Sequence, residues 1–105
     1  MNNKIKMDKL LELFKMLRVI LVSEGDGNWI RGVDSIIFSL SPKSISTSSD
    51  EEAIRYAEST YKAMFRGNGS FSDFYIWRDD FEERAYENEK LDILKDKIWS
   101  EFGCK

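Results

Sequence analysis

The stretch MNNKIKMDKLLELFKMLRVILV, residues 1–22, admits two readings that lead to different proteins. Basic residues followed by apolar ones form the outline of a secretory or membrane-spanning segment, but Glu12, Lys15 and Arg18 interrupt the apolar run too often for either. Met7, Leu10, Leu11, Phe14, Leu17 and Leu21 recur at helical spacing, with Lys9, Glu12, Lys15 and Arg18 on the other side. The run therefore reads as an amphipathic helix over residues 6–22, whose apolar face must be covered by the rest of the chain. A cytoplasmic location is the expectation.

Three further helices can supply that cover. SEGDGN, residues 23–28, is a turn by composition, with Asn28 placed to cap a second helix from Trp29 to about Leu40. The apolar set of that helix is Trp29, Ile30, Val33, Ile36, Ile37 and Leu40. SPKSISTSS, residues 41–49, is a hydroxyl-rich loop holding the lone Pro42. Ser49 and Glu52 stand at capping-box spacing, so a third helix begins there. Its inward stripe is Ile54, Ala57, Tyr61, Met64 and Phe65, and it ends near Arg66 with Gly67 as a left-handed cap. Asp79 precedes Glu82, and Asp80 precedes Glu83, by three residues, which predicts a last helix from there to about Phe102. Its expected inward positions are Phe81, Ala85, Leu91, Leu94, Ile98 and Phe102, with a phase drift around residues 86–90. The fold class is thus all-α: one domain over residues 1–105, an antiparallel bundle of about four helices. An irregular or short extended segment is expected near residues 70–77, where FYIW has strand-like composition and no pairing partner.

Charge and residue types narrow the chemistry. Residues 1–49 carry 7 Lys/Arg against 5 Asp/Glu, and residues 50–105 carry 9 against 14, so the acidity lies in the second half. Asp79, Asp80, Glu82, Glu83, Glu87 and Glu89 face only Arg84 in that interval, which repels nucleic acid and anionic membrane and favours a basic protein partner. The basic side chains of the first helix are too weak a signal for nucleic-acid or membrane contact. The chain has no histidine, which removes the commonest general base and zinc ligand, and its one cysteine, Cys104, can form neither an internal disulfide nor a cysteine metal cage. The acids Asp73, Asp79, Asp80, Glu82 and Glu83 would suit a Mg²⁺ site only if they converged, and consecutive helical positions point them apart. GDGN, residues 25–28, and GNGS, residues 67–70, lack the rest of a phosphate-binding motif and read as turns. A noncatalytic protein without cofactor or metal is the expectation.

The run GNGSFSDFYIWRDDFEER, residues 67–84, followed by YENEKLDILKDKIW, residues 86–99, resembles small bacterial proteins with a G-S-F-x-D-hydrophobic signature. Several of these look like immunity proteins encoded beside polymorphic toxins, including those of contact-dependent growth inhibition systems. The resemblance covers roughly residues 59–102, with GSFSDF, residues 69–74, as its most specific part. It implies a cytosolic, noncatalytic protein that neutralises a toxin domain by binding it, and a nuclease target fits an acidic surface. On that reading Asp79, Asp80, Glu82, Glu83, Glu87 and Glu89 are the charge contacts, and Tyr75 and Trp77 the anchors. The alternative is a phage- or plasmid-encoded regulatory or adaptor domain that inhibits another host protein with the same kind of surface.

Overall fold

The computed structural model describes residues 3–41, 49–66 and 71–103. They form four helices, α1 (Asn3–Ser23), α2 (Ile30–Leu40), α3 (Asp50–Met64) and α4 (Phe81–Phe102), with a single 3₁₀ turn at Phe71–Asp73. The fold is an all-α bundle. Gly67, Cys104 and residues 42–48 of the hydroxyl-rich loop lie outside the described residues.

Local chemistry sets the helix ends. Gly25 has a φ of 70°, and the Gly25 and Asp26 N–H groups donate to the Val22 and Leu21 carbonyls at 3.1 and 2.9 Å. This is the paired pattern that satisfies the last carbonyls of a helix. Asp26 then serves the next helix as well, because its Oδ2 accepts from the Trp29 N–H at 2.7 Å. Asn28 was the expected cap of α2, and this expectation is corrected: Trp29 occupies the N-cap position without a side-chain cap bond. A carboxylate is the stronger acceptor at the positive end of a helix, and Asp26 reaches the orphan donor from three residues upstream. The capping box of α3 is present in both directions, Ser49 accepting from the Glu52 N–H and Glu52 from the Ser49 N–H. That helix stops at Met64, two residues before the expected end, and tightens through the Phe65 and Arg66 N–H groups donating three residues back.

α1 lies at the centre. Its Phe14 packs edge-on to Tyr61 of α3 at 5.3 Å and against Phe102 of α4 at 6.2 Å between ring centroids, while its Arg18 pairs with Asp34 of α2 at 2.6 Å. Residues 8–13 of α1 lie beside residues 93–101 of α4, and residues 16–20 beside residues 90–97, so those two helices are antiparallel. α2 and α3 are antiparallel too, with Ser35 bonded to Tyr56 and Ser39 donating to the Ala53 carbonyl. The core joins Leu10, Phe14, Leu17 and Leu21 to Val33, Ile36, Leu40, Ala57, Tyr61 and Ile98, all essentially without solvent exposure. α3 meets α4 through large rings, Tyr61 and Phe65 against Trp99 at 4.9 and 5.2 Å. Among the described residues no helix is long and apolar enough to cross a membrane.

α4 departs from the expected inward stripe. Leu91, Leu94, Ile98 and Phe102 are buried as expected, but Phe81 and Ala85 are exposed. At 100° per residue the buried face runs back from Leu91 through Asn88, Glu87 and Arg84, and these three are the half-buried residues of the first half of α4. The inward face of that half is polar because it meets backbone rather than the apolar faces of other helices.

The Tyr61 hydroxyl is buried and has no hydrogen-bond partner among the described residues. Burial, with the Asp96 carboxylate adding to it, pushes the phenol above its ordinary range. An unpaired buried hydroxyl costs about 1–3 kcal/mol. Tyr61→Phe keeps the ring stacks and is expected to leave stability in urea unfolding unchanged or raised by up to about that amount; a loss would show that the hydroxyl has a partner.

Candidate recognition surface

The segment between α3 and α4 is built around one side chain. After the turn at Phe71–Asp73 residues 74–78 form neither helix nor strand, and among the described residues no strand lies beside them. Extended backbone without a ladder leaves N–H and C=O groups unpaired. Asn88 of α4 pairs those of Ile76: its Oδ1 accepts from the Ile76 N–H at 3.0 Å, and its Nδ2 donates to the Ile76 carbonyl at 2.8 Å and to the Arg84 carbonyl at 2.9 Å. The primary amide acts as one residue of a neighbouring strand.

Strand periodicity then decides which residues face out. Ile76 is buried and Phe74 half-buried, while Tyr75 and Trp77 alternate onto the solvent side. Phe71 fixes the start of the segment: it is fully buried, stacks on Phe74 at 5.5 Å and meets Trp29 and Phe65 at 5.7 and 5.4 Å. Lys95 lies over Phe71 with its Nζ 5.0 Å from the ring centroid, and burial lowers the pKa of that ammonium while Asp92 opposes the shift.

Arg78 ties the far end of the segment to the rest of the bundle. Its two terminal nitrogens donate to both Glu24 oxygens at 2.9 and 2.8 Å, across 54 residues of sequence. This bidentate pair places a cation beside the C-terminus of α1, where a lone carboxylate would be unfavourable. The hydrogen bond from Arg78 holds the Glu24 carboxyl below its usual range; burial opposes the shift and the Arg78 charge assists it.

The acids expected to act as charge contacts have divided roles. Asp80 is the N-cap of α4 and accepts from the Glu83 N–H at 2.8 Å. Asp79 points instead to the Trp77 Nε1, at 3.3 Å. Glu83 lies 3.8 Å from the Arg78 Nε. Glu82 and Glu89, seven residues apart, share an exposed face of α4 with Tyr86. Glu87 turns toward the half-buried side and pairs with Lys90 at 3.6 Å. Asp79 and Asp80 therefore diverge, and among the described residues no three acids gather as a metal-binding group.

Two aromatics join the surface that the sequence reading placed elsewhere or passed over. Phe81 is 70% exposed and Trp77 62% exposed, Tyr75 is exposed too, and Tyr86 is exposed on the face of α4 that it shares with Glu82 and Glu89. The Arg84 guanidinium lies over Trp77 at 4.3 Å and near Phe81 at 5.5 Å, and it donates to the Arg78 carbonyl at 3.1 Å. One cation thus holds two exposed rings in place at the start of α4. The signal available in the sequence was the register of Leu91, Leu94 and Ile98: extended backward, it leaves Phe81 and Tyr86 off the buried face.

Compared with known proteins, this chain matches no family model, no curated protein and no solved structure.

The Arg78–Glu24 bridge generates a pH signature. Because the folded pKa of Glu24 is depressed below 4.5, its stabilisation is fully present above that pH and is lost as pH falls through the depressed value. Glu24→Gln is therefore expected to be less stable than the parent at pH 7, with the difference shrinking below pH 4.5 in thermal unfolding. A stability difference that persists unchanged under acid conditions contradicts the charge pairing.

Proposed function

We propose that this chain is an immunity protein that works in the bacterial cytoplasm by binding and neutralising a cognate toxin domain, with a nuclease as the target class. The observation that carries the reading is the interleaving of four exposed aromatics, Tyr75, Trp77, Phe81 and Tyr86, with the exposed acids Asp79, Asp80, Glu82, Glu83 and Glu89. A nuclease cleft is basic because it holds phosphates, so carboxylates on the inhibitor steer the encounter. Exposed rings then supply the desolvated anchors that dominate affinity. Trp77 suits that role, since Arg84 and Asp79 hold its ring in one orientation before any partner arrives. The reading involves no catalysis and no cofactor in this chain, and inhibition follows from occupancy.

The acids that suit a test are Glu82 and Glu89, because Asp80 also caps its helix and Glu83 approaches Arg78. With the toxin encoded beside this chain's gene as the partner, the wild-type protein is expected to form a complex that suppresses toxicity. Glu82→Lys with Glu89→Lys is expected to weaken that complex by at least about tenfold at low salt, and by less as salt rises. Trp77→Ala costs about 2 kcal/mol of binding as an anchor. Undiminished affinity in all these variants refutes the surface assignment, and failure to bind or neutralise the toxin refutes the function.

A further inference from the structure

A second surface lies on the other half of α4. Between α1 and α4 runs an open groove whose floor holds Met16, Val19, Ile20, Ile93 and Leu94. Val19 is 67% exposed, and Met16 and Ile93 are about half exposed, an unusual amount of bare aliphatic surface for adjoining helices. The charges along the groove are not mixed evenly. At the end lined by residues 8–13 and 96–101 it carries Asp8, Glu12, Asp96 and Glu101 against Lys9 and Lys97. At the end lined by residues 16–20 and 90–94 the lining charge is Lys90, with Lys97 shared between the two ends and no carboxylate among the described lining residues.

We propose that this groove is the self-association surface of the protein, occupied by a second copy of the same chain. A two-fold axis perpendicular to the groove near Ile93 lays the acidic end of one copy on the basic end of the other and brings the two aliphatic floors together. An isologous contact needs this self-complementarity. A foreign basic partner, by contrast, would be opposed at the Lys90 end. The proposal does not rest on the toxin reading: apart from Lys90, which pairs with Glu87 and lies over Tyr86, the groove uses the C-terminal half of α4, and the acidic–aromatic surface uses the N-terminal half.

Sedimentation of the full chain over a concentration series tests it. The wild-type protein is expected to dimerise. Ile93→Glu is expected to be monomeric with its helical circular dichroism intact, and Val19→Glu serves if that variant unfolds. Lys90→Glu and Glu101→Lys should each dimerise about tenfold more weakly alone, because each places like charges at both symmetric ends. An equimolar mixture of these two variants should recover the wild-type affinity, since the heterodimer restores opposite charges at both ends. A wild-type chain that is monomeric up to millimolar concentration overturns the proposal, as does a dimer that survives both apolar substitutions or a mixture that does not recover. A monomer whose Ile93 becomes protected only when the toxin domain is added assigns the groove to a foreign partner and overturns it equally.

Discussion

The side-chain amide of Asn88 is the contact on which the irregular part of this molecule depends. Helices satisfy their own backbone, but Ile76 in the irregular stretch 74–78 has no neighbouring strand among the described residues to pair with. A primary amide carries the same acceptor and donor as a peptide group, so Asn88 can pair with Ile76 in both directions and still bond to its own helix at Arg84. With Ile76 held inward, alternation turns Tyr75 and Trp77 outward, and Arg78 arrives at Glu24. The crossing segment, the start of α4 and the end of α1 are thereby joined by a few polar contacts, which add to the burial of Phe71 and Ile76 in the core.

This arrangement divides α4 by length. Its second half is an ordinary core helix, burying Leu91, Leu94, Ile98 and Phe102 against α1 and the aromatic cluster. Its first half faces the segment with Arg84, Glu87 and Asn88, and so is free to present Phe81, Glu82, Tyr86 and Glu89 to solvent. The proposed recognition surface exists because the helix exchanges an apolar inward face for a polar one at this point. Arg84 links the two purposes, holding the segment through the Arg78 carbonyl while stacking on the ring of Trp77.

Local rules made much of this legible in advance. Leu10, Phe14, Leu17 and Leu21 repeat at a spacing only a helix uses, and the Ser49–Glu52 box and the Asp80 cap are written in three-residue intervals. The misplacement of Phe81 and Ala85 came from treating apolar character as a guide to the inward face where the buried positions are polar. Asn28 is the cap that adjacency to the helix suggests, whereas Asp26 acts from the preceding turn. The pairing of Glu24 with Arg78, and of Asn88 with Ile76, joins elements whose relative placement no local pattern encodes. Tyr75 and Trp77 were recognised as surface candidates from their acidic neighbourhood, but the reason they face outward is the register that Asn88 imposes.

Amide hydrogen exchange at Ile76, compared between the wild-type chain and Asn88→Ala, tests that register most directly. The Ile76 N–H is expected to be protected in the wild type and to exchange at least about tenfold faster in the variant, the equivalent of roughly 1.4 kcal/mol, while amides in the middle of α1 keep their protection. Equal protection of Ile76 in the two proteins, or none in the wild type, would contradict the claim that Asn88 holds the crossing segment in place.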